Sequence, residues 1–203
     1  MSIGLGVGLT RNTDDVDDDE IRDTTPWENF RLPDTIVPEL YSITLRPDVV
    51  NDISYGSEIV TINVLKRTNT VIIHALEDLT GLTKFVVKQN GFELEKIDEF
   101  YYNAEKQQYY VVQLTTDLEI GSAELDIEWA GPLVSSLVGI NKVTYQDEGQ
   151  TKYIIATKFE PTYAREAFPC FDEPAMKAKY DLVMYHEDTH RALWNMPIVQ
   201  GHS

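Results

Sequence analysis

Apolar residues recur at every second position in several short stretches of this chain. Tyr41, Ile43 and Leu45 alternate with Ser42, Thr44 and Arg46, and Val60, Ile62 and Val64 repeat the pattern. A period of two places alternate side chains on opposite faces of a strand, so each stretch predicts a half-buried strand. Val71-Ile72-Ile73-His74-Ala75 is a shorter run with no polar alternation, as in a strand buried on both faces. Phe85-Val86-Val87, Tyr109–Leu114, Leu125–Trp129, Tyr153–Ala156 and Tyr180–Tyr185 complete the series. Turn chemistry separates them at Tyr55-Gly56, Asn90-Gly91 and Gly131-Pro132. Asn90-Gly91 between extended runs is a strong hairpin signal, because both residues accept a positive φ. No long window shows helical spacing and no internal repeat occurs. The expected fold is therefore all-β, a sandwich or an open saddle-shaped sheet.

Composition changes this picture at one end. The chain has 203 residues, a formal net charge of -17 and 42% hydrophobic residues, so it can bury a sizeable core. Residues 1–23 hold seven acids against Arg11 and Arg22, a net of -5. With few large apolar groups, residues 1–25 read as a disordered acidic tail or stalk remnant, and an ordered domain is expected over 26–203, opening near Pro26-Trp27. The negative balance argues against nucleic acid, which needs clustered Lys and Arg. An acidic surface attracts cationic ligands such as peptides with a free amine, and it also simply keeps a protein soluble. Cys170 is the only cysteine, so no internal disulfide forms. No stretch approaches the ~18 apolar residues of a membrane span. Met1–Thr10 has no basic flank and does not read as a signal peptide, and no N-x-Ser/Thr sequon occurs. The compartment stays open between an anchored ectodomain and the cytoplasm.

The most specific stretch is residues 156–178, ATKFEPTYAREAFPCFDEPAMKA. Phe168, Phe171 and Met176 are large apolar groups able to pin a loop to the core, and Pro169 and Pro174 stiffen it by fixing φ. Arg165, Asp172 and Glu173 are charges in an otherwise apolar stretch. Buried charges need partners, so an Arg165–carboxylate network is expected. Cys170 reads as a small packed thiol. The stretch closely resembles the signature that closes the N-terminal domain of zinc peptidases of the aminopeptidase N family. Arg31-Leu32-Pro33, Pro38, Tyr41, His74-Ala75, Gly131-Pro132-Leu133, Gly139, Tyr145 and Asn195-Met196-Pro197 match in the same order, so the resemblance spans about residues 26–198. It implies a saddle-shaped antiparallel β-sandwich that caps the active site of a separate catalytic domain, with that domain and peptide N-termini as partners. It also implies that Glu160 helps bind the free α-amine of the substrate, a role suited to a carboxylate. The alternative is a structural acid.

Two departures bear on specificity. The family usually has Gln two residues before that Glu, facing the first substrate side chain, and here Lys158 stands there. The aromatic residue that usually follows the glycine is replaced by Ile140 and Asn141.

His186-Glu187-Asp188-Thr189-His190 spells H-E-x-x-H. That motif holds zinc only on a helix, where positions i and i+4 share a face. Leu182–Tyr185 reads as a strand, Asp188-Thr189 as a turn, and His202 does not supply the third ligand of the extended motif. The match is read as coincidence and His74 as a core residue. No metal, cofactor or catalytic residue is thus expected in this chain, the zinc belonging to the parent enzyme's catalytic domain. Two readings remain: part of a zinc aminopeptidase, inactive alone, or a standalone non-catalytic module that binds peptides or proteins.

Overall fold

The computed structural model describes residues 23–78, 81–133 and 137–199. Most of the stretch read as a tail, residues 1–22, lies outside them, as does His202. The described residues form an all-β protein: β1 (Ile36–Asp48), β2 (Ile53–Val64), β3 (Thr68–His74), β4 (Gly81–Gln89), β5 (Phe92–Glu93), β6 (Lys96–Tyr102), β7 (Tyr109–Leu118), β8 (Gly121–Pro132), β9 (Gly139–Asp147), β10 (Gln150–Lys158) and β11 (Lys179–Met184). Two short 3-10 turns, Pro26–Glu28 and Ala164–Glu166, are the helical elements among them.

The strands form a six-stranded sheet in the order β11-β1-β2-β8-β4-β5, a three-stranded sheet β3-β7-β6 and the β9–β10 hairpin. Alternation decides which face is buried. Tyr41, Ile43 and Leu45 of β1, Val60, Ile62 and Val64 of β2, and Leu125, Ile127 and Trp129 of β8 all point into the core. Their polar neighbours stay outside, where Lys84 and Lys88 bridge to Asp126 at 2.8 Å. The continuous apolar run Val71–Ala75 is buried at every position, and so is Tyr109–Val112 beside it. Asn90 and Gly91 take φ of 55° and 80° in the turn between β4 and β5.

Several details differ from the sequence reading: β5, β6 and β9 are not among the expected strands, and Gly131-Pro132 ends β8 instead of forming a turn. The six-stranded sheet is not wholly antiparallel: β11 joins β1 in parallel, with Leu40 opposite Lys179 and Leu45 opposite Met184. The crossover that a parallel pair requires is the whole chain between them, and the loop 159–178 carries it from β10 to the free edge of β1. Tyr55-Gly56 is not a turn but lies inside β2, the reversal falling between Asp48 and Ile53. Gly56 is needed there for close packing, since a Cβ at this position would sit 2.1 Å from Cζ2 of Trp129.

Candidate functional site

The site is built on the β9–β10 hairpin and the loop that follows it. Glu148 and Gly149, both at positive φ, make the hairpin turn. Lys142 of β9 ties the hairpin to the main sheet. Its Nζ donates to Val49 O at 2.6 Å and to Asp52 Oδ1 at 2.5 Å, and stands 4.3 Å from the centre of the Tyr153 ring. At the other end Lys158 pairs with Gly139, whose φ is +69° and whose Cα faces Glu166 so closely that a Cβ would lie 2.9 Å from Glu166 Cβ. Only glycine suits that position. Ile140 and Asn141, the residues that depart from the expected aromatic, are both buried here.

Lys158 and Glu160 are both exposed, and the half-buried Phe159 between them turns inward onto Phe168, with ring centroids 5.8 Å apart. Two charged side chains thus reach solvent at the head of a loop whose intervening residue is anchored.

The rest of the loop is clamped at many points. Arg165 is buried. Its Nε donates to Asp172 Oδ2 at 2.9 Å and one terminal nitrogen to Asp172 O at 3.2 Å. The other terminal nitrogen donates to Gln107 O at 3.3 Å and Gln108 Oε1 at 3.2 Å. A planar fork with fixed donors suits such a multi-point clamp. Glu173 pairs with Arg31 and accepts Leu32 N–H at 3.2 Å, which ties the loop to the start of the domain. Cys170 extends the β3 edge by a two-way backbone bridge with His74, at 2.8 and 3.0 Å. The Asp172 amide donates to His74 Nδ1 at 3.1 Å, and the Phe171 amide to the Tyr41 hydroxyl at 3.0 Å. Trp129 Nε1 donates to Ala167 O at 3.2 Å. Phe168, Pro169, Cys170 and Phe171 are buried, while Pro174 is exposed. Burial, and secondarily the Arg165 charge, lowers the pKa of His74 from 6.5 to about 3, so its ring is a neutral acceptor. Burial pushes the Cys170 thiol up, away from any reactive range.

Beside this loop runs an apolar groove of ≈ 860 Å³, lined by Ile43, Leu45, Ile140, Phe159, Phe168 and Leu182 among others. Its far wall is the segment after β11, where Leu193, Trp194 and Met196 are 81%, 47% and 63% exposed. His186 and His190 lie on that segment, which is not helical: Asp188 and Thr189 form a turn closed by His190 N–H to Glu187 O at 2.9 Å. His186 Nδ1 is engaged with Glu187 O and His190 Nδ1 with Thr189 Oγ1. The two imidazoles do not share a helix face. Among the described residues no three His, Cys, Asp or Glu side chains gather as metal ligands.

Sequence reading missed one feature of this region. Glu58 of β2 lies completely buried beneath the loop, and neither of its carboxyl oxygens has a hydrogen-bond partner. The signal was present, because Glu58 shares the inward parity of Val60, Ile62 and Val64.

A family model described as the Peptidase M1 N-terminal domain matches residues 37–203. Glutamyl aminopeptidase of Bos taurus is 40% identical over 183 residues, covering 87% of this chain and 19% of that protein. Glutamyl aminopeptidase of Sus scrofa is 35% identical over 234 residues, covering 100% of this chain and 24% of its own length. Aminopeptidase N of Rattus norvegicus is 32% identical over 198 residues, covering 93% and 20% respectively. The chain therefore spans about a fifth to a quarter of the length of these relatives.

Proposed function

This chain belongs to the Peptidase M1 N-terminal domain family, and from that premise we propose that it serves as the recognition domain of a zinc aminopeptidase, an activity that removes residues from peptide N-termini. The observation that carries the proposal is the family match through 37–203 combined with an exposed Glu160 at the head of a rigidly clamped loop. The Glu160 carboxylate accepts a charge-assisted hydrogen bond from the substrate α-ammonium, which selects chains with an unblocked N-terminus. Lys158 stands near the first substrate side chain, attracting Asp or Glu and repelling Lys or Arg. In this reading the zinc and the general base come from a separate catalytic domain, in keeping with relatives of which this chain covers only about a fifth to a quarter. That domain packs over the apolar groove and the exposed Leu193, Trp194 and Met196, which suit a covered surface better than a solvated one. By itself the chain binds and positions, and does not cleave.

The test grafts the chain onto a catalytic domain of the same family and follows Glu-, Leu- and Arg-headed aminoacyl substrates. Glu160→Gln should lower kcat/KM on all three by roughly 10- to 100-fold, the scale of one charged hydrogen bond. Lys158→Gln should lower the rate on the Glu substrate and raise it on the Arg substrate. An unchanged rate for Glu160→Gln would overturn the amine-binding role. A uniform rise with Lys158→Gln would mean that the lysine neutralises Glu160 instead of reading the side chain.

A further inference from the structure

The loop 167–171 is held from below by two side chains on the strands that flank β2. Tyr41 of β1 accepts the Phe171 amide, and Trp129 of β8 donates to Ala167 O. In the sheet register Tyr41 lies opposite Val60 and Trp129 opposite Gly56. Glu58 sits midway between Gly56 and Val60 on the same inward face, opposite Ile43 on one side and Ile127 on the other. A carboxyl with 2% exposure and no partner on either oxygen thus lies between the two supports of the loop.

The titratable groups that face it are Tyr41 from β1, Tyr180 from β11 and Cys170 from the loop. All three are neutral acids, and none supplies a compensating positive charge. On β8 its partner Ile127 is apolar. A neutral carboxyl is tolerable in such a place, whereas an ionised one is not.

We propose that Glu58 is a proton-operated latch for the 167–171 loop. With its proton in place the carboxyl lies neutral between Tyr41 and Trp129 and the loop stays seated. Loss of the proton to solvent leaves an unpaired charge, and the loop lifts to admit water. Burial raises the Glu58 pKa well above 4.5, and this fixes the direction of the effect. The folded form holds the proton after the open or unfolded form has released it. Seating is therefore complete below 4.5 and weakens as pH rises from there through the raised value. The inference concerns the loop alone and does not rest on the aminopeptidase reading.

Amide hydrogen exchange on the 203-residue chain tests it, with rates corrected for intrinsic base catalysis from about pH 5 to about pH 9. Protection of the Cys170 and Phe171 amides should fall with rising pH by up to about tenfold per pH unit while Glu58 is losing its proton, and then level off. Protection of Val111 in β7 should not follow. In Glu58→Gln the Cys170 and Phe171 protection should no longer fall with rising pH, and Glu58→Leu gives the same reading if the amide variant does not fold. A pH-independent loop in the original protein would overturn the latch. So would an equal fall in the Gln or Leu variant, or a fall at Val111 in step with the loop.

Discussion

At the residue scale the two buried titratable groups near the loop pull stability in opposite directions. His74 is neutral in the fold, its pKa held at about 3 against 6.5 when unfolded. As pH falls below 6.5 the unfolded chain takes up a proton that the folded chain refuses, so stability drops down to about 3. At about 1.4 kcal/mol per pH unit the loss is on the order of 5 kcal/mol. His74→Asn keeps an acceptor for the Asp172 amide and has no proton to gain. Its urea midpoint at about pH 4 should lie closer to its own value at about pH 6.5 than that of the original does. An equal acid-side loss in the variant would assign the effect to the carboxylates instead. The need of Arg165 for a carboxylate was legible in the sequence because a charge in an apolar stretch must be paired, and Asp172 is that partner. The isolation of Glu58 was not legible. Its parity pointed inward, but whether a buried acid finds a donor depends on the loop above it, more than a hundred positions further along the chain.

At the element scale, hydrophobic patterning located eight of the eleven described strands and Asn90-Gly91 located a hairpin, because both signals are local, while β5, β6 and β9, with mostly exposed or half-buried residues, gave no such pattern. Gly56 shows where local signals fail. A glycine between extended runs reads as a turn, yet here it makes room for a ring from another strand. Gly56→Ala should therefore cost about 1–3 kcal/mol through overpacking against Trp129. A lowered denaturant midpoint with a red-shifted tryptophan emission would show it, and an unchanged midpoint would mean that the β2–β8 pair has slack. The parallel docking of β11 was also hidden. Its sequence marks a strand, but nothing in six residues states which neighbour it joins or in which direction. The placement of Lys158 and Glu160 is a mixed case. Both are exposed around an anchored Phe159, and spacing alone indicated only that they are two apart.

At the scale of the whole molecule, the parallel β1–β11 pair gives the sheet an order of completion during synthesis. β1 emerges from the ribosome early and gains β2 at once through a short reversal. Its other edge waits until Lys179–Met184 has been made, after the other ten strands among the described residues. Until then Ile43 and Leu45, with the unsatisfied backbone beside them, form an open template for another nascent chain. A strand made more than a hundred residues later thus guards the edge of β1. A chain stopped at Ala178 should fold most of its sheets yet self-associate through β1, and light scattering after release from the ribosome should rise with concentration. Supplying Lys179–Tyr185 as a separate peptide should suppress that association, whereas a truncated chain that stays monomeric would show that the early edge needs no guarding.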